Sequence, residues 1–287
     1  MIAPTLEIVP YTRRYRRDLM RLVDDPGCWL HIHLDWYTVE EWLGLADAPI
    51  TLALRGGRLV GALAASPAES GASWVRLIAI DYGQEVGEVL GMLWDVTRIA
   101  ARERGVTEMG VLALQPWLIP YLEPLGFTYH EDIVTLRREQ ADVLTPLRND
   151  IRIRHTDWRE AEIATEIDHA AFSPMWQLSL PTLRQAARSA ASFTLAEWQG
   201  RPVGYQITTM HGHNAIHLAR LAVRPDAQGI GVGGALLTEM LYGYALRGVL
   251  TCTVNTQGTN LQSQRLYIRY GFARTGYDMP YYAARIT

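Results

Sequence analysis

The chain contains no lysine: all 27 of its basic residues are arginine. That absence excludes a lysine base, a Schiff-base former and a Walker-type phosphate ligand, so any phosphate must be held by backbone amides and arginine. Cysteine is nearly absent too. Cys28 and Cys252 stand far apart, which reads as two buried, reduced thiols rather than a disulfide framework. No apolar run reaches the length of a membrane span. The net charge of −3 supplies no basic field for nucleic acid. Arg13, Arg14, Arg16 and Arg17 precede no apolar stretch with a cleavage site, so no signal peptide is expected and a cytoplasmic setting is.

What the chain does have is 287 residues, enough for two ordinary domains, and an internal repeat. Thr51–Gly61 matches Thr194–Gly204 at seven of eleven positions, a shift of 143. The same shift sets Trp74–Ile80 on His217–Val223. Each half continues into a helix (roughly 86–104 and 231–247), a strand (about 107–114 and 249–255) and a short helix ending at Gly126-Phe127 or Gly271-Phe272. The pattern predicts two tandem copies, 1–147 and 148–287, joined near Thr145–Asp150. Each is an α/β (α+β) domain with a mixed, mostly antiparallel sheet flanked by helices. In the second copy the first strand is Ile151–Arg154, with a helix running to Phe172 and broken by Ser173-Pro174.

The copies diverge at one loop. Leu218–Leu237 reads as strand, turn, glycine loop and helix start, with Gln228, Gly231 and Gly233 spaced Gln-x-x-Gly-x-Gly. Such a loop turns several N–H groups toward a phosphate, because no Cβ blocks the approach. In the first copy Gln228 aligns on Glu85, Gly231 on Glu88 and Gly233 on Leu90. A carboxylate about 4 Å from a phosphate costs on the order of 4 kcal/mol at an effective dielectric near 20, so this copy is expected to bind no diphosphate. A dinucleotide site is rejected: Gly229–Gly234 lacks the final glycine spacing and Asn255, not an acid, ends the next strand. Likewise Tyr267, four residues before Gly271, is matched by Leu122 four residues before Gly126.

The glycine loop followed by Asn260-x-x-Ser-x-x-Leu-Tyr-x-x-x-Gly-Phe272 resembles the GCN5-related N-acetyltransferases (GNATs), specifically over 151–287 and through the repeat over 1–145. The layout is similar to tandem members of that family in which one half keeps an acetyl-CoA site. The resemblance implies that the pantetheine arm lies between two parallel strands splayed by a bulge. Leu221, Ala222 and Val223 would line it, with the Val223 N–H facing the thioester carbonyl. The amides of Gln228, Gly229, Ile230, Gly231, Val232, Gly233 and Gly234 would hold the diphosphate; Asn260 and Ser263 would contact the arm. Tyr267 would protonate the departing thiolate. His217 occupies the position where several members place a glutamate base; it shares alternation with Ala219, Leu221 and Val223, and an ordinary imidazole titrates near neutrality. Pro174–Thr182 and Tyr277–Tyr282 would border the acceptor.

Bland readings stand beside these. Asn260 suits a helix N-cap, Tyr267 a packed aromatic, and Gly271-Phe272 a helix stop with a buried ring. His31-x-His33 and His211-x-His213 lack a third ligand and read as solvated or rim histidines, so no metal is expected. Neither cysteine has an activating context, so an acyl-enzyme route is not expected. The chain therefore reads as an acetyl-CoA-dependent N-acetyltransferase acting by direct attack of a primary amine, on a small molecule or a peptide. The alternative is a non-catalytic acyl-CoA-binding sensor. Monomer and homodimer both remain open.

Overall fold

In the computed structural model of the chain, residues 5–45, 48–140, 142 and 150–287 are described. The boundary expected at 147/148 lies outside them. The chain packs as two compact units, Met1–His130 with Pro280–Thr287, and Glu131–Met279. The first runs β1 (Leu6–Pro10), α1 (Arg16–Asp24), β2 (Cys28–Ile32), α2 (Val39–Trp42), β3 (Ile50–Arg55), β4 (Arg58–Ala65), β5 (Ala72–Asp81), α3 (Val86–Glu103), β6 (Glu108–Leu112) and α4 (Ile119–Leu122). After β7 (Thr128–Glu139) come β8 (Ile151–His155), α5 (Ala161–Ala171), α6 (Leu180–Ser189), β9 (Ser192–Trp198), β10 (Arg201–His211), β11 (Ala215–Val223), α7 (Val232–Ala245), β12 (Thr251–Gln257), α8 (Leu261–Arg269) and β13 (Ala273–Arg285).

The strand that closes each unit comes from the other half of the sequence. In the second unit β12 pairs antiparallel with residues 133–139 of β7. In the first, β6 pairs antiparallel with Tyr281–Arg285 of β13. Within each unit a meander of antiparallel strands leads to one parallel pair, β5–β6 or β11–β12.

The repeat is visible in packing as well as in pattern. A Cβ built on Gly204 would lie 2.9 Å from Val232 and 3.3 Å from Leu236; one on Gly61 would meet Val89 at 2.6 Å and Leu93 at 3.4 Å. All three pairs keep the shift of 143. Glycine is required at both sites because the helix after the meander lies directly on that strand, which lets α7 bury Val232, Leu236 and Leu237 against the sheet. Burying apolar area at about 25 cal/mol per Å² makes this contact the main source of helix stability in each unit.

Both cysteines are buried and free. Burial pushes the Cys28 thiol up to about 11 and the Cys252 thiol up to about 12. One expectation fails here. His31 is not a solvated or rim histidine: it is wholly buried in β2 and neither ring nitrogen has a hydrogen-bond partner. Its desolvation drives the pKa down to about 3, so the ring stays neutral and packs as a core side chain. Its alternation with Trp29, rather than its identity, decided its place.

Candidate active site

The site grows out of an irregularity in β11. Against β10, Ile207 faces Arg220 while Thr208 faces Leu218, so Ala219 is an extra residue, a β-bulge. Beyond it β11 leaves its parallel neighbour: β12 pairs only with Ala215–Leu218. Arg224 donates its N–H to Val203 of β10 at 2.8 Å. Alternation then turns the Leu221 and Val223 N–H groups away from β10, toward the gap where β11 and β12 diverge. Among the described residues no strand fills that gap.

The bulge also reverses side-chain alternation, which corrects the expected parity of His217. Leu221 and Val223 lie toward α7, 4.0 and 3.9 Å from a Cβ built on Gly233. His217 is on the opposite face with Arg220 and Ala222. It sits in the paired part of β11, its Nδ1 2.9 Å from the Thr253 hydroxyl, its ring edge-on to His211 at 5.7 Å. Nor does it titrate near neutrality: burial, helped by His211, lowers its pKa to about 4.

The glycine loop follows directly. A short turn at Pro225–Ala227 leads into Gln228, whose side chain donates to the Val223 carbonyl at 3.1 Å and fixes the loop to the strand end. The Gln228 N–H itself reaches Pro225 at 3.3 Å. Gly229 and Gly231 have φ of +79° and +101°, where residues with a Cβ are strained. Gly231 is the N-cap of α7 and provides no side chain, so the first-turn amides of that helix have no side-chain acceptor. Gly233 and Gly234 face Leu266 and the Tyr270 hydroxyl, with a built Cβ at 3.1 and 2.8 Å. Arg224, not singled out by the sequence, adds a cation at the strand end, its Nε buried without a hydrogen bond and 4.0 Å from Asp226 Oδ1.

On the far side of the gap Asn260 caps α8, its Oδ1 accepting from the Ser263 N–H at 3.0 Å, which leaves its NH₂ group available to a ligand carbonyl. Tyr267 is buried in the last turn of α8 and packs on Phe272 at 5.7 Å between ring centroids. Burial drives its pKa well above the ordinary phenol value, with Cys252 adding to the rise and Arg220 opposing it.

The first unit has the same frame with every opening closed. Its bulge falls at Arg76, its parallel pairing is confined to Ala72–Trp74, and both keep the shift of 143. Yet the edge of β5 at Leu77–Asp81, equivalent to Arg220–Arg224, is taken by β2. Trp117, just ahead of α4, donates its indole N–H to Leu30 of that strand at 3.3 Å. Helix α3 starts one turn earlier than α7, and the Glu85 carboxylate accepts from the Gly87 N–H at 3.0 Å and from the Glu88 N–H. Glu85, not Glu88 as expected, thus occupies the helix terminus; Glu88 is drawn off by Arg55 at 2.7 Å. Tyr281 and Tyr282 also belong to this unit, paired with Leu112 and Val111, while the second unit retains Tyr277, which is exposed.

A bulged strand, a diverging parallel neighbour and a bare helix terminus make up the candidate site. Residues 157–272, less than half of the chain, match the Acetyltransferase (GNAT) family. A mycothiol acetyltransferase of Acidimicrobium ferrooxidans is 27% identical over 220 residues, covering 68% of this chain and 69% of that one. The mycothiol acetyltransferase of Streptomyces avermitilis is 36% identical over 92 residues, covering 32% and 30%. In fold, the chain is similar to a tandem GNAT protein from the clavulanic acid biosynthesis pathway: TM-score 0.63, 16% identity, 99% of each chain. Among the described residues no helix is long and apolar enough to cross a membrane.

Proposed function

We propose that the second unit binds acetyl-CoA in the gap between β11 and β12 and transfers the acetyl group to a primary amine. The observation that carries this reading is the contrast between units: the β11 edge and the α7 terminus are open where their first-unit counterparts are filled by β2 and Glu85. An extended amide-bearing arm has the shape and hydrogen-bonding pattern of the strand that lies on β5. In this reading the Leu221 and Val223 N–H groups, with Ala222 between them, hold the pantetheine arm. The amides from Gly229 through Gly234 hold the diphosphate, favoured by about 0.3–1 kcal/mol from the helix dipole, while the Gln228 N–H stays on Pro225 and its side chain braces the loop. Asn260 and Ser263 lie beside the arm.

The reaction follows from these placements. The amine lone pair attacks the thioester carbon, and the Val223 N–H donates to the oxygen as negative charge develops, worth about 3–4 kcal/mol. The C–S bond breaks, and the sulfur takes the proton of Tyr267, whose burial keeps it protonated until that moment. The nitrogen's surplus proton passes to His217 or to water. The name carried by the Acidimicrobium ferrooxidans and Streptomyces avermitilis relatives, mycothiol acetyltransferase, favours a small-molecule acceptor over a peptide.

The test is release of free thiol from acetyl-CoA across a panel of primary amines, with binding measured in parallel. Binding and turnover support the enzyme; binding without turnover for every amine supports the sensor. The same assay tests His217. Its folded pKa is lowered, so the ring is a free base above about pH 4 and gains a proton only below it. The kcat profile of the wild type is expected to fall through a limb near 4, and His217→Ala to lose that limb along with about 10²-fold in rate. An unchanged profile excludes the role.

A further inference from the structure

The bulge at Ala219 does more than splay β11 from β12. Without it, Arg220 would share the face of Leu218, which is buried in the apolar core with α7. With it, Arg220 is delivered to the other face, against α5. There its Nε and Nη2 lie 2.8 and 2.7 Å from one oxygen of Asp168. That oxygen also accepts from the Tyr205 hydroxyl of β10. The Arg220 Nη2 donates in addition to the carbonyl of Trp176, and the guanidinium lies over Phe172, 3.7 Å from the ring centroid. The other oxygen of Asp168, which is fully buried, accepts the Leu178 N–H at 2.8 Å.

One arginine beside the bulge therefore grips both ends of Phe172–Leu178, the segment joining α5 to α6. It holds the segment's aromatic ring by stacking, one of its carbonyls directly, and its last amide through Asp168. Three donors converge on the Asp168 carboxylate, so the cluster is charge-balanced and leaves Phe172, Trp176 and Leu178 as a half-buried, largely apolar wall.

We propose that Arg220 is a positioning residue that fixes the Phe172–Leu178 wall relative to the bulged strand, and so sets where the acceptor amine stands. This rests on reading the second unit as an amine acetyltransferase. Because Arg220 follows the bulge directly, the element that turns the Leu221 N–H toward the thioester arm also anchors the wall. The wall therefore governs the approach of the amine rather than the binding of the arm.

The test uses Arg220→Lys in the full chain, since lysine keeps the charge but can neither fork across Asp168 and Trp176 nor stack on a ring. Asp168→Asn, of the same shape, is the second variant; truncation of Arg220 is avoided because it strands a buried carboxylate. Both variants are expected to exchange the amide hydrogens of 172–178 faster. Both are expected to raise KM for the amine about tenfold or more, while KM for acetyl-CoA stays within about twofold. Unchanged exchange overturns the proposal. So does a lowered Tm with both KM values intact, which is the mark of a structural role alone, or an equal rise in both KM values. A wild-type chain that acetylates no amine sinks the preceding reading instead, and the clamp is then judged by exchange alone.

Discussion

Gly231→Val is expected to weaken CoA binding by about two to four orders of magnitude while leaving the fold intact. Gly231 has φ of +101°, a conformation that a β-branched residue adopts only under about 1–3 kcal/mol of strain. Space is not the obstacle, because the nearest atom to a built Cβ is Ile151 Cδ1 at 4.0 Å. The loop is therefore expected to relax its backbone, and the amides of Val232 and Gly233 turn off target. Each hydrogen bond to a charged phosphate oxygen is worth about 1.5–3 kcal/mol, so losing two gives the stated range at about 1.4 kcal/mol per tenfold. Gly87→Val at the start of α3 is the matched control and is expected to leave affinity unchanged. Calorimetric titration reads both. Wild-type affinity in Gly231→Val would remove the diphosphate from this loop.

Tyr267→Phe is expected to lower kcat by about 10²–10⁴ with CoA affinity unchanged. The substitution removes one oxygen and keeps the ring that packs on Phe272, so packing loss does not account for a large effect. The phenol stays protonated throughout the neutral range because burial raises its pKa, which suits a donor to a departing thiolate. Leu122, its counterpart before Gly126, is simply a member of the core. A thioester whose thiol is a better leaving group needs the proton less, and is expected to recover much of the lost rate. Wild-type turnover in the variant, or no recovery with the better leaving group, would reduce Tyr267 to a packed aromatic.

Much of this was legible in the chain. The repeat, the glycine loop and the Asn260–Phe272 pattern are local in sequence, so period and spacing carried them. The bulge was invisible because one extra residue in a strand leaves no compositional mark, and it inverted the parity assigned to His217. The shifted pKa of His217 was equally hidden, since it depends on burial beside His211 and Thr253. Asp168 and Arg220 lie 52 positions apart, and each taken singly reads as a surface charge. The strands that close the two units carry ordinary β patterns, and pairing partners cannot be read from a pattern that fits several edges. For the same reason nothing announced that β2 lies along the β5 edge.

The number of CoA molecules bound per chain bears most directly on the asymmetry between the two units. Calorimetric titration is expected to give one per wild-type chain, still one in Glu85→Ala because β2 continues to hold the β5 edge, and none in Gly231→Val over the same concentration range. Two per wild-type chain, or a full site surviving in Gly231→Val, would place CoA where β2 and Glu85 lie and contradict the assignment.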